Sequence, residues 1–142
     1  MSVYVPVELQ RSVRARWENC CAYCHTAEAL TVVVFEFEHI VPRALGGATV
    51  LDNLCLACPT CNRCKADRTG ARDPATDQQV PLFHPQHDGW TDHFAWSEDG
   101  TRIVALTPTV RATEAAFRMN RPPLVRMRRM WVAMGEHPPE IT

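Results

Sequence analysis

Leu9, Val13 and Trp17 recur every four residues between charged positions, and this spacing predicts an amphipathic helix over residues 7–18. The first cysteines follow directly. Thr31 to Phe37 is a β-branched and aromatic run, which predicts a strand ending at Glu38-His39. Pro42 and Gly46-Gly47 break that pattern, predicting a loop to about Asp52 and then a short strand through Leu54 to Leu56. Pro59 suits the first turn of a helix, so Cys61 to Asp67 reads as one or two helical turns. Residues 71–92, rich in Pro, Asp and Gln, predict a surface loop. Phe94–Ser97 and Arg102–Leu106 then flank a Glu98-Asp99-Gly100-Thr101 turn as a hairpin. Thr107-Pro108 predicts the cap and first position of a helix reaching about Met119. Pro122-Pro123 opens another, with Leu124, Met127, Trp131 and Met134 on one face.

Composition narrows the class of molecule. A chain of 142 residues suits one domain, residues 1–142, and 46% apolar with 22% charged residues disfavours disorder. No run of apolar residues is long enough to cross a membrane, and the first thirty positions carry Glu8, Arg11, Arg14, Arg16 and Glu18 instead of a signal-peptide core. A cytoplasmic location without a membrane partner is the expectation. The formal charge of −1 gives no global basic field, so any hold on phosphate must be local. Fourteen arginines against the single Lys65 supply planar forks that match phosphate oxygens.

Seven cysteines in a reducing compartment point to metal coordination more than to disulfides. Cys21-x-x-Cys24 and Cys58-x-x-Cys61 can each turn two thiolates toward one ion, and four thiolates complete a closed tetrahedral zinc site that contributes to folding and does no chemistry. Cys55, Cys58, Cys61 and Cys64 contain three overlapping pairs of this spacing. The Cys58–Cys61 register is preferred because it puts Asn62 just inside a helix; Cys20, Cys55 and Cys64 are then free thiols packed as small hydrophobes.

Between the knuckles stand Glu38-His39, Pro42, Gly46-Gly47 and Asn53-Leu54, with Asn62 and Lys65 after the last ligand. Residues 21–65 thereby resemble the HNH endonuclease family. The resemblance implies a small, treble-clef-like ββα-metal core over about residues 17–70, which with the N-terminal helix and the C-terminal extension (71–142) of a hairpin plus two helices read above makes an α+β fold. It implies hydrolysis of phosphodiester bonds, DNA foremost, leaving a 5′ phosphate and a 3′ hydroxyl. His39 is the natural general base if a carbonyl or carboxamide holds its ring. Glu38 and Asn62 offer hard oxygen ligands to one Mg²⁺ or Mn²⁺, and by resemblance Asn53 braces the loop that fixes His39. Glu38 stands where Asp is more usual in the family and Asn62 where a final His is, which bears on metal preference.

Arg43 and Lys65 are candidates for contact with the substrate backbone, set against a solvated-charge reading. His84, His87 and His93 are read as surface or packing histidines and not as a second metal site. The arginines at 111, 118, 121, 126, 128 and 129 form either a solvated face or a phosphate-tracking patch. Trp90, Trp96 and Trp131 are assigned to the core before base stacking. Two-strand cleavage by a one-site nuclease takes two copies, which leaves a homodimer on the substrate open. The rival to an enzyme is a non-catalytic zinc-stabilised module that binds nucleic acid.

Overall fold

The computed structural model describes residues 4–140, so the outermost residues of the expected 1–142 unit lie outside the described residues. Helix α1 (Val7–Arg16) buries Val13, and Trp17 just past its end is buried too. The four-residue stripe thus faces inward, against β2 (Leu54–Ala57). Strand β1 (Glu36–His39) pairs antiparallel with β2, setting His39 opposite Leu54 and Glu38 opposite Cys55. One residue later comes α2 (Pro59–Lys65), capped by Cys58, whose sulfur accepts from the Cys61 amide at 3.4 Å. Pro59 occupies a first-turn position where an amide proton has no helical partner in any case. The fold is α+β, with α2 lying on β1.

Residues 31–35 depart from the expected strand. Val32 and Val34 are largely exposed, and among the described residues no strand pairs with this run. β-branched residues favour a strand when neighbours pack on a pleated surface, and none lies beside them here. The chain is anchored instead by Glu28, which accepts from the Phe35 amide at 2.7 Å and pairs with Arg14.

The expected surface loop at 71–92 carries regular elements. It contains β3 (Gly70–Arg72) and β4 (Gln79–Pro81), paired antiparallel, with Asp73 organising the turn through Ala75 N and Thr76 Oγ1. A short helix, α3 (Trp90–His93), leads into the hairpin of β5 (Phe94–Trp96) and β6 (Ile103–Ala105). Helix α4 (Pro108–Phe117) is capped by Thr107 and packs against α2, β3, β4 and β6, joining the C-terminal part to the hairpin core.

Helix α5 (Pro122–Ala133) is rotated from the expected face. It buries Leu124, Val125, Arg128 and Trp131, while Met127 and Met134 are exposed. Arg128 takes the inward position because its guanidinium lies 5.3 Å from the Trp96 ring, and Nη1 donates to Thr101 O and Asn120 Oδ1. Only Nη1 is satisfied, since Nε and Nη2 are buried without a hydrogen-bond partner, so the Trp96 face and the packing of the stem offset only part of the cost of burying this charge.

Arg111 on α4 grips both oxygens of buried Asp73, at 3.0 and 2.8 Å, and holds its carboxyl down at about 2 against an ordinary 3.8. The unfolded chain therefore takes up this proton before the native state does. The pair's contribution is present above 3.8 and is lost as the pH falls toward 2. Asp73→Asn is expected to lower the melting temperature at neutral pH and to flatten its decline across that acid window, as calorimetry will show.

Candidate functional site

The sulfurs of Cys21, Cys24, Cys58 and Cys61 converge from the end of α1 and the start of α2, all buried and all within 4.8 Å of one another. Zinc–sulfur bonds of about 2.3 Å place the corners of a tetrahedron about 3.8 Å apart, and Cys24 lies 3.9 Å from Cys58. Burial pushes the Cys21 thiol well up, while hydrogen bonding from Cys21, Cys58 and Cys61 pulls Cys24 well down, so the group shares charge that a divalent cation would balance. The four can hold a zinc ion. The Cys58–Cys61 register is the one gathered there.

A cleft of about 270 Å³ opens between β1 and α2, and its lining includes Glu38, His39, Arg43 and Asn62. His39 is half-buried, with Nε2 2.8 Å from the Thr49 hydroxyl. That hydroxyl stands where a carbonyl or carboxamide was expected, because the loop after β1 folds back beside the ring. Burial, with the nearby charges of Arg43 and Lys65, holds His39 below its ordinary 6.5, which favours the neutral ring. Asn53 braces the same loop: Oδ1 accepts from Val41 N at 2.8 Å, and Nδ2 donates to Val41 O at 3.0 Å and Ala48 O at 2.9 Å. Gly47 is required by close approach, since a Cβ there would lie 1.8 Å from Val41 O and 2.7 Å from Asn53 Nδ2.

Across residues 21–68 this arrangement matches the family model of the HNH endonuclease. The segment is an HNH domain. No curated protein and no solved structure matches the chain.

Within the HNH domain Glu38 is held on all sides. Oε1 lies 2.6 Å from Lys65 Nζ, and Oε2 accepts from the Tyr23 hydroxyl at 2.9 Å and the Cys55 thiol at 3.5 Å. Burial pushes its carboxyl up, and Lys65 opposes that rise. Lys65 corrects the expectation of a cation free to meet substrate: it is 2% exposed and also donates to His39 O at 3.1 Å. Four residues after Cys61, it lies on the same inward face of α2, which aims it at β1. Arg43, by contrast, is exposed at the cleft rim.

Glu36 was not among the expected residues. Its Oε2 accepts from Asn62 Nδ2 at 3.3 Å, which turns Asn62 Oδ1 away as a free oxygen donor. The signal was present in the chain, since Glu36 and Glu38 are two apart and share a strand face. A carboxylate offers about four lone-pair sites; three donors occupy those of Glu38, so about one is left. Glu38 and Asn62, each with a hard oxygen, line the same cleft, whereas Glu36 touches it only through the Asn62 amide. Tyr23 and Thr49 were missed as well, being ordinary residue types whose roles arise only from folding.

The other candidates fall away from the cleft. His84 and His87 stack at 3.8 Å, whereas His93 bonds Thr107. Among the described residues the four cysteines are the one grouping of three or more Cys, His, Asp or Glu donors close enough to hold an ion. Arg111 and Arg128 are committed to Asp73 and to the core, so the basic face reduces to Arg118, Arg126 and Arg129, which are exposed, and half-buried Arg121.

Two outcomes follow for the HNH domain. Lys65→Met leaves Glu38 buried without its counter-charge, an expected loss of about 3–5 kcal/mol in urea unfolding; adding Glu38→Gln restores much of it. Cys58→Ser is expected to lose bound zinc in atomic absorption and to lower the melting temperature, whereas Cys64→Ser changes neither.

Proposed function

We propose that this chain is a metal-dependent endonuclease that hydrolyses phosphodiester bonds in DNA, with His39 as general base. The observation that carries the reading is the convergence of His39, Asn62, Glu38 and Arg43 on one cleft of an HNH domain. In this reading Nε2–H donates to Thr49, leaving the Nδ1 lone pair to take a proton from water. Asn53 keeps the ring in place by holding the loop on which Thr49 sits. Arg43 at the rim suits a phosphate oxygen.

Glu38 and Asn62 would hold Mg²⁺ or Mn²⁺, which when bound supplies a Lewis acid for the phosphate and relief of charge at the leaving 3′ oxygen. Structural zinc belongs to the four-cysteine site. A cytoplasmic location is part of the proposal, since a reducing compartment would keep the zinc-site cysteines available as thiolates. The second reading, a non-catalytic nucleic-acid-binding module, is favoured by one observation: three donors already hold the Glu38 carboxylate.

Nicking of supercoiled plasmid with Mg²⁺ or Mn²⁺ separates the two. The wild type is expected to cut, and His39→Ala to lose about 100-fold or more. Thr49→Val, which removes the hydroxyl beside the ring, is expected to lower kcat about 10- to 100-fold with KM little changed. An inert wild type, or a His39→Ala protein that cuts equally well, ends the catalytic reading.

A further inference from the structure

Between the unpaired run at 31–35 and α5 lies an apolar groove of about 500 Å³, with buried Phe35, Leu124 and Trp131 in its lining and exposed Val33 and Met127 at its sides. We infer that this groove docks a protein partner, through a segment in which aliphatic side chains are interspersed with Asp or Glu, the acids meeting Arg63 and Arg121.

The described residues leave both sides of the groove open. Val32, Val33 and Val34 stand exposed on one side, and on the other helical spacing continues Met127 into Met130 and Met134, which are exposed as well. Apolar side chains exposed singly need no explanation, whereas a contiguous stripe marks a contact surface. Methionine, unbranched and polarisable, adapts its shape to whatever packs on it. Backbone groups are open too. Among the described residues nothing bonds the amides or carbonyls of Val32 and Val34, whereas those of Val33 are met by the Thr31 hydroxyl at 3.4 and 3.2 Å. A peptide laid along the run can pair its own backbone with these groups.

Charge selects the occupant. The lining holds Arg63 and Arg121 and no Asp or Glu. Arg63 is exposed and has no acidic partner among the described residues, and Arg121 uses only Nη1, on Arg118 O at 3.1 Å. Carboxylates on the partner fit these forks and fix its orientation. A second copy of this chain would set the arginines against themselves across an isologous interface. A nucleic-acid strand would satisfy the arginines but bring no aliphatic surface to Val33 and Met127, and the rings of Phe35 and Trp131 are buried instead of offered for stacking. The partner also rests on α2, since Asn62 lines the HNH cleft and Arg63, next in the chain, lines the groove.

The test uses the full chain and an array of short synthetic peptides in which Leu, Ile and Val are interspersed with Glu, beside a matched set carrying Lys for Glu. The tightest Glu peptide, labelled with fluorescein, is then titrated by anisotropy. Binding is expected to fall about 10-fold or more when Lys replaces Glu. That comparison needs no variant, so it stays decisive if a substitution prevents folding. The Arg63→Glu, Arg121→Glu double variant is expected to lose a similar factor and to gain affinity for the Lys peptide, and Met127→Asp to weaken either peptide about 30-fold; melting curves verify that each is folded. Equal binding of the Glu and Lys sets overturns the inference, as does binding that survives both the double variant and Met127→Asp. DNA retention that the double variant loses, with no peptide bound, marks a nucleic-acid face and overturns it. A dimer in sedimentation that Met127→Asp dissociates, with no peptide bound, marks a second copy and overturns it too.

Discussion

Four sulfurs within 4.8 Å tie the turn after α1 to the first turn of α2. Most of what gives the cleft its shape lies between those two points in the chain, in β1, the braced loop and β2, and Asn62 and Ala66 close it from the far end of the clamp. A two-stranded hairpin has little stability by itself in water. Clamping its flanks converts it into a closed loop whose strands can place side chains against α2. The clamp also sets the axial position of α2, and hence which of its residues meet β1: Asn62 at Glu36 and Lys65 at Glu38.

Much of this was legible in the chain before folding was considered. The Cys-x-x-Cys pairs, the Glu38-His39 dipeptide, Gly46-Gly47 and Asn53 identify the core because each is demanded by ligand geometry, a close backbone approach or a loop brace. Helices capped by Thr107 or opened by Pro59 and Pro122 were readable for the same local reason. What escaped depends on contacts distant in sequence. The valines at 32–34 have strand propensity without a neighbouring strand, and Arg128 occupies a buried helix position because of Trp96 and Thr101, which the helix's own pattern does not contain.

The same distinction applies inside the site. In the sequence Glu38 stood as a metal ligand and Lys65 as a substrate contact or a solvated charge, with nothing to link the two. The fold makes them partners, each nearly excluded from water, so the lysine neutralises the acid that the cleft presents. Glu36 became visible only once α2 lay across β1 and its carboxylate met the Asn62 amide. Positional meaning therefore came from pairing, through which an ordinary acid acquired a defined partner.

Asn53 holds the loop after β1 solely through backbone groups: the amide and carbonyl of Val41 and the carbonyl of Ala48. Outside Gly47, that grip is indifferent to what the intervening side chains are, and those of Ala44, Leu45 and Val50 are exposed. Those exposed positions can thus be substituted freely while the imidazole beneath keeps its place.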